Sequence, residues 1–176
     1  MKIGIVSDTH RNKDYLFKVG QWLTTRQKAA TIYHLGDDYE DVSCLAELYV
    51  DIVQVPGVYD PRYLDGSLLA TQMETVLGLQ ILLVHALEKD ATEADLTTAD
   101  IILHGHTHRA EISFENGHLF LNPGHLKGDK DKNMLPSFGM LDIQDRTVSA
   151  MIYDLNFEPI YRMELGRGEG RLIKMA

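Results

Sequence analysis

The sequence predicts a mixed α/β (α+β) fold, with an alternating strand–helix opening and a second half made mostly of strands. Up to about residue 57, short β-branched runs alternate with segments of helical apolar spacing. Beyond that point, apolar runs of strand length follow one another closely and are separated by turn residues. The length of 176 residues suits one core, so we expect a single domain over residues 1–176.

The opening alternates strands with helices. The run "KIGIVSD" is rich in β-branched residues and ends in Ser-Asp, which is typical of a buried strand that reaches a loop. Between about Lys13 and Lys28, apolar residues recur at helical spacing, which predicts a helix. The next three elements are a strand, a helix with an acidic start and a strand stopped by Pro-Gly, namely "TIYHLGDD", "EDVSCLAELY" and "DIVQVPG". This βαβαβ order favours a parallel sheet with right-handed crossovers.

The second half is predicted to be mostly β. Its strands are "METVLG", "LQILLVHA", "ADIILHG", "AEISFENGHLFLN", "SFGMLDI" and "TVSAMIYDL". Gly78 turns the first pair, and Asn116-Gly117 is a strong hairpin signal. Residues 127–133, "KGDKDKN", form a charged loop, and the tail from about Gly166 alternates glycine with charge and is expected to fray.

Composition narrows the class of protein. The net charge is −9, from 17 basic and 26 acidic side chains, and no run of Lys or Arg forms a cationic stripe, so we expect no general nucleic-acid binding. Cys44 is the only cysteine, which excludes an internal disulfide and a thiolate zinc cluster. The first apolar run meets Asp8 too early for a signal peptide, and "VLGLQILLVHAL" is too short to span a bilayer. We therefore expect no membrane association and a cytoplasmic location.

Metal-compatible side chains follow four of the predicted strands. These residues are Asp8 and His10, Asp37 and Asp38, His85, and His106 and His108. Ligands in open α/β sheets bind beyond the carboxyl ends of the strands, so we expect the side chains to converge there. On extended backbone, both rings of an H-x-H pair point to the same side. Carboxylate with imidazole suits Mn, Fe, Zn or Co better than Mg or Ca. His104, in the same "HGHTH" run, is not counted as a ligand.

The motifs "SDTH", "HLGD", "VPGVYD", "VHA", "HGHTHR" and "NPG" resemble, in order and spacing, those of the calcineurin-like metallophosphoesterases. The nearest likeness is to the small single-domain bacterial and archaeal phosphodiesterases, and it covers roughly residues 1–155. The resemblance implies a two-sheet β-sandwich flanked by helices, the αββα fold. It also implies hydrolysis of a small phosphodiester or phosphomonoester by a metal-activated water at a dinuclear site.

The resemblance also implies a ligand scheme. Asp8, His10 and His108 would hold one ion, Asp37 would bridge and take part in catalysis, and His85 and His106 would hold the second. The two ions are divalent transition metals, with Mn expected first and Fe, Zn, Co or Ni as alternatives.

Four residues depart from the family pattern. Val58 stands where the family has a metal-binding asparagine, Ala86-Leu87 replace a usual Gly-His, and His125 replaces a usual Ser. Asp60 matches the acidic position that orients the site or protonates the leaving group, and is our second catalytic candidate.

Several alternatives stay open. Arg11 and Arg109 either contact phosphate or are surface residues, and Asp38 either supports a ligating histidine or caps a helix. His34 and His118 are expected to be structural or solvent-facing. Val58 also allows a scaffold protein on a weakened site, as in the retromer subunit with this fold. A (β/α)₈ barrel that begins with an H-x-H pair is excluded, because eight units need about 200 residues or more. The edge strands of a small sandwich are compatible with a homodimer.

Overall fold

Two mixed β-sheets face each other in the computed structural model, which describes residues 1–168 and 171–175. The strands are β1 (Lys2–Val6), β2 (Thr31–His34), β3 (Asp51–Gln54), β4 (Thr71–Val76), β5 (Leu79–Val84), β6 (Ile101–His104), β7 (Glu111–Glu115), β8 (His118–Asn122), β9 (Ser137–Ile143), β10 (Thr147–Asp154), β11 (Pro159–Gly168) and β12 (Arg171–Lys174). The helices are α1 (Lys13–Thr25), α2 (Pro61–Leu64), α3 (Leu87–Asp90) and α4 (Glu93–Thr98), with a 3₁₀ helix over Tyr39–Leu48.

The larger sheet has the strand order β12-β11-β10-β9-β1-β2-β3, and the smaller sheet has the order β4-β5-β6-β8-β7. Strands β1, β2 and β3 are parallel neighbours, as the βαβαβ pattern predicts. In the smaller sheet β5, β6 and β8 are parallel, while β4 and β7 pair antiparallel at the edges. The larger sheet therefore has its parallel strands at one edge and the smaller sheet has them at its centre, and the carboxyl ends of these strands carry the polar motifs.

Side-chain alternation explains how each sheet uses its two faces. In β1, Ile3 and Ile5 lie in the core between the sheets, against residues of β5 and β6 such as Ile81 and Leu103. Val6 lies on the opposite face, in a cluster with apolar residues of α1. A third cluster joins the outer face of the smaller sheet to residues next to α3 and α4. The predicted two-sheet β-sandwich flanked by helices is confirmed.

A glycine sets how closely α1 approaches the larger sheet. A Cβ at Gly4 would lie 2.5 Å from Cδ1 of Leu23 in α1, closer than any real contact. The missing side chain therefore lets the helix pack directly on β1. The loop between β1 and α1 carries the "SDTH" motif.

Two elements differ from the sequence-based expectations. The second predicted helix is a 3₁₀ helix, in which Asp41 and Leu45 are the buried residues. The described part of the tail is paired as β11 and β12 instead of fraying, and Leu165 and Leu172 lie in the core between the sheets. Residues 169, 170 and 176, which also belong to the expected frayed tail, lie outside the described residues.

Among the described residues, no helix combines the length and the apolar character needed to cross a membrane.

The pairing of the tail predicts a measurable contribution to stability. Leu172→Ala should lower the free energy of unfolding by about 2–4 kcal/mol, because the side chain is 1% exposed and its loss leaves a cavity. Denaturant titration measures the loss. The matched control Ile173→Ala, at a residue that is 43% exposed, should cost less than about 1 kcal/mol. Equal, small losses in both variants would show that the tail does not pack on the core.

Candidate metal centre

Four loops from the two sheets meet at one edge of the sandwich. The loops after β1 and β2 are joined where the Asp8 N–H donates to the Gly36 carbonyl at 3.2 Å. The loops after β5 and β6 are joined where the Gly105 N–H donates to the His85 carbonyl at 3.0 Å. The two pairs meet where the His106 N–H donates to Oδ2 of Asp8 at 3.0 Å. The predicted convergence of the four strand ends is therefore present.

A first cluster contains Asp8, His10, Asp37 and His108, each offering one ligand atom within 4.8 Å of the others. Nε2 of His10 lies 2.8 Å from Oδ2 of Asp37. Nε2 of His108 lies 3.0 Å from Oδ1 of Asp8 and 3.3 Å from Nε2 of His10. Two carboxylates and two imidazoles thus direct their ligand atoms into one space.

A second cluster lies on the other side of Asp37. Nε2 of His85 is 3.2 Å from Oδ1 of Asp37 and 3.2 Å from Nδ1 of His106. Nδ1 of His85 lies 2.7 Å from the Leu35 carbonyl. Because a carbonyl only accepts, His85 carries a proton on Nδ1, and its Nε2 faces Asp37. Asp37 therefore directs Oδ2 to the first cluster and Oδ1 to the second.

The donor chemistry fits a bound cation. Oδ1 of Asp8 is buried and makes no hydrogen bond to any of the residues that the structure describes, although Nε2 of His108 is only 3.0 Å away. A buried carboxylate oxygen without a hydrogen bond is costly, and a cation would satisfy it. Nitrogen and oxygen ligands together suit transition metals such as Zn and Mn.

The backbone around these side chains is unusual. Five of the six candidate ligands have left-handed φ values, namely Asp8 (53°), His10 (46°), Asp37 (66°), His106 (67°) and His108 (63°). Such conformations are sparsely populated for residues other than glycine and cluster at functional sites. The tight turns let short loops aim several side chains at one point.

The extended H-x-H expected from the sequence is wrong. Strand β6 ends at His104, and the chain turns sharply at His106 and again at His108. As a result the two rings do not share one side of a strand. His106 approaches His85, whereas His108 approaches Asp8 and His10.

Charge pairing sets the protonation of the shared carboxylate. Burial alone raises the pKa of Asp37, but hydrogen bonds from His10 and His85 outweigh it and lower that pKa overall. The hydrogen bond to Asp37 raises the pKa of His10. Asp37 is therefore ionised near neutral pH, as a bridging ligand has to be.

The loop with Val58 lies next to Asp37. A Cβ at Gly57 would be 2.5 Å from both Cα and Oδ1 of Asp37, so only glycine allows this approach. Val58 is buried, and it brings a hydrocarbon to the position of the family asparagine.

Asp60 caps α2, where its carboxylate accepts from the backbone and guanidinium of Arg62 at 2.8–3.1 Å. The Arg62 hydrogen bond lowers the pKa of Asp60, which keeps the carboxyl ionised. Its suggested catalytic role stays a prediction.

The remaining histidines have other partners. His34 is fully buried, with Nε2 3.4 Å from the Thr9 hydroxyl. Nδ1 of His118 donates to the Ala99 carbonyl at 2.6 Å. Nδ1 of His104 lies 3.5 Å from Nδ2 of Asn122, away from both clusters. His125 is buried and donates through Nε2 to the Met134 carbonyl at 3.2 Å.

Within the described part of the chain, the side-chain partner of Asp38 is Arg11 and not one of the candidate ligand histidines. Its carboxylate pairs with Arg11 at 3.1 Å, and it occupies the N-cap position of the 3₁₀ helix without a side-chain capping bond. Arg11 is highly exposed, and Arg109 is exposed as well.

Sequence reasoning missed Asp131. Its Oδ2 lies 2.6 Å from Nδ1 of His108, on the side of the ring opposite the cluster. Asp131 belongs to the charged loop over residues 127–133, and such runs are usually solvated. The only sign in the sequence that this loop reaches the site is that it follows the "NPG" motif closely.

The fold and the two clusters define a two-sheet protein with a candidate metal centre at the strand ends. A family model for the calcineurin-like phosphoesterase superfamily domain matches residues 1–146, and the chain belongs to this superfamily.

Solved structures share the fold. A predicted phosphoesterase from Streptococcus pneumoniae TIGR4 is 19% identical, with 94% of this chain and 97% of that chain covered and a TM-score of 0.70. The phosphoesterase YfcE from E. coli is 20% identical over 93% and 98% of the two chains, with a TM-score of 0.69. Vps29 from Entamoeba histolytica, in complex with Zn²⁺, is 20% identical over 94% and 99%, with a TM-score of 0.65.

The buried His34 predicts a specific pH dependence of stability. Burial lowers the pKa of His34 from 6.5 to about 4. Between about pH 6.5 and pH 4, His34 is therefore protonated in the unfolded chain but neutral in the folded chain. Stability is therefore lost as the pH falls from 6.5 towards 4. Between pH 7.5 and pH 4.5 this group should account for about 2–3 kcal/mol of the loss.

Urea titrations at both pH values test this prediction in metal-free protein. His34→Gln should lose about 2–3 kcal/mol less than the wild type over this interval. His118→Gln is the control and should follow the wild type. An unchanged pH dependence in His34→Gln would mean that His34 is protonated in the folded state.

Proposed function

We propose that the protein is a metal-dependent phosphoesterase that hydrolyses a phosphodiester or phosphomonoester at a dinuclear site. The observation that carries the proposal is the position of Asp37. Its Oδ2 lies 2.8 Å from His10 and its Oδ1 lies 3.2 Å from His85, so one carboxylate connects two groups of histidines. A bridging carboxylate between two sets of imidazoles fits a pair of ions.

The residues divide into two sets of ligands. Asp8, His10 and His108 would hold the first ion, His85 and His106 the second, and Asp37 both. When bound, such ions lower the pKa of a water and stabilise the charge of the phosphoryl group. Imidazole-rich sites suit Mn, Fe, Zn, Co or Ni, with Mn our first expectation. The Zn²⁺ complex of E. histolytica Vps29 supports metal binding on this fold.

The surroundings of His106 support a small substrate. This side chain is exposed, whereas Asp8, His85 and His108 are buried, so the centre opens to solvent on the His106 side. A cavity of about 250 Å³ begins there. It is lined by Ala86, Leu87, Glu88, Lys89, His104, Gly105, His106 and Thr107. The cavity is slightly smaller than typical ligand pockets, which start at about 300 Å³. It therefore suits a small group, such as the organic part of a small phosphate ester.

A scaffold role is the second candidate, and Val58 is the observation that favours it. Valine offers no ligand atom, and the fold is shared by Vps29 as well as by phosphoesterases. The enzyme is favoured because all six other ligand positions are occupied by metal-compatible residues whose side chains converge. A cytoplasmic location and a homodimer stay predictions from the sequence.

The shared carboxylate gives the first test. Asp37→Asn should abolish binding of both ions and lower hydrolysis of a bis-aryl phosphodiester at least about 100-fold, since even an outer partner of a metal ligand costs 10–100-fold when lost. The protein is stripped with chelator and reloaded with Mn²⁺, and bound metal and rate are measured together. Asp38→Asn is the matched control, because its carboxylate pairs with exposed Arg11, and it should keep both properties. Equal loss in the two variants would contradict the assignment.

Val58 gives the second test, which separates enzyme from scaffold. Val58→Asn should tighten binding of the second ion and raise the phosphodiesterase rate by about tenfold, because it adds a ligand oxygen beside Asp37. Val58→Ala is the control, since it removes the same hydrocarbon without adding a ligand, and should not improve either property. If Val58→Asn binds metal no better and the parent hydrolyses nothing at saturating Mn²⁺, the scaffold role replaces the enzyme.

A further inference from the structure

The charged loop over residues 127–133 folds back onto the first cluster. Oδ2 of Asp131 accepts the Nδ1 proton of His108 at 2.6 Å. The other oxygen of Asp131 accepts from Nζ of Lys127 at 2.8 Å. The Asp131 backbone also exchanges two hydrogen bonds with Met134, at 3.0 and 2.7 Å. Asp131 is therefore held by its side chain and by its backbone.

The two ends of the loop are anchored to the rest of the molecule. Nδ2 of Asn12, the N-cap residue of α1, donates to the Lys127 carbonyl at 3.3 Å. The buried ring of His125 donates to the Met134 carbonyl at 3.2 Å. The Tyr15 hydroxyl donates to Asp129 in the middle of the loop. These contacts fix the loop beside His108.

The contact between Asp131 and His108 decides which ring nitrogen is free. An ionised carboxylate only accepts, so His108 carries its proton on Nδ1. The lone pair of Nε2 then faces Oδ1 of Asp8 at 3.0 Å and Nε2 of His10 at 3.3 Å. His108 has left-handed backbone and lies beyond the end of β6, so strand pairing does not orient its ring.

The second cluster offers a comparison. There the Leu35 carbonyl holds Nδ1 of His85 at 2.7 Å, so each cluster contains one buried histidine whose Nδ1 is fixed from behind. The difference is that the first cluster uses a charged acceptor. Carboxylate partners orient a ligating imidazole and increase its basicity, which strengthens metal binding.

We propose that Asp131, held by Lys127, is a positioning residue that orients His108 and selects its Nε2 as the ligand of the first metal ion. The inference rests on the proposed function, because it assumes that His108 binds a metal. Asp131 itself acts through the ring and does not touch the ion or the substrate.

Metal affinity is the first measurement. Mn²⁺ and Zn²⁺ are titrated into chelator-stripped wild type, Asp131→Ala and Asp131→Asn at one pH and ionic strength. The first ion should bind about 10–100-fold more weakly to Asp131→Ala, and the second ion should be affected less. Asp131→Glu should recover part of the affinity. Asp129→Asn is the matched control, because it removes the same charge from the same loop but leaves a side-chain oxygen that can still accept from the Tyr15 hydroxyl, and it should stay near wild type.

The tautomer of His108 is the second measurement, and it requires no metal. Nitrogen NMR of the stripped protein should show His108 protonated on Nδ1 in wild type and a mixture of tautomers in Asp131→Ala. Equal affinity losses in Asp131→Ala and Asp129→Asn would show that Asp131 acts only through the general attraction of its negative charge for the cation, and would overturn the proposal. An unchanged affinity and tautomer in Asp131→Ala would also overturn it.

The two measurements separate this inference from the proposed function. If wild type binds neither ion, the dinuclear site fails, and the positioning contact is then judged by the tautomer alone. If wild type binds both ions and Asp131→Ala matches it, the enzyme proposal stands and the role of Asp131 is wrong.

Discussion

The buried carboxylate of Asp8 joins the two sheets, and the candidate metal centre depends on that contact. Its Oδ2 accepts from the Ser7 hydroxyl at 2.5 Å and, across the sandwich, from the His106 N–H at 3.0 Å. A Cβ at Gly105 would lie 2.0 Å from Oγ of Ser7 and 2.7 Å from Asp8, so only glycine permits this approach. With Oδ2 saturated, Oδ1 is left to face His108. The loops of one sheet thus position candidate ligands carried by the other.

This convergence is costly to the chain without a cation. Each non-glycine residue in a strained backbone region costs about 1–3 kcal/mol, and five such residues surround the centre. Asp8 adds a buried oxygen that accepts no hydrogen bond from the described residues. Anything that binds only the folded state stabilises it by mass action, so a bound ion would offset these terms. The apolar core between the sheets supplies the remaining stability and keeps the loops in place.

The sequence predicted where the ligand-bearing loops would meet but not how each side chain is aimed. Asp8, Asp37 and His85 follow recognisable strands, and parallel strands place their carboxyl ends together. The ring directions of His106 and His108 depend on left-handed turns, which leave no apolar periodicity. Asp131 was missed because it reaches the site through loop folding, and a charged run alone gives no register. The strand β11 was missed because most of its residues are exposed, so its side chains lack the alternation that marks a buried strand.

The same energetics bear on the choice between enzyme and scaffold. A surface used only to hold another protein gains nothing from a buried Asp8, and well-packed apolar residues in place of buried charges are often neutral or stabilising. The chain keeps the charges together with the strained turns, and it keeps His106 exposed while Asp8 and His108 are buried. Buried ligands would retain a cation, and an exposed one would leave room for a substrate beside it. Val58 removes a ligand from the proposed arrangement at one position only, since Asp37, His85 and His106 would still supply three ligands, which is the number that catalytic zinc sites use.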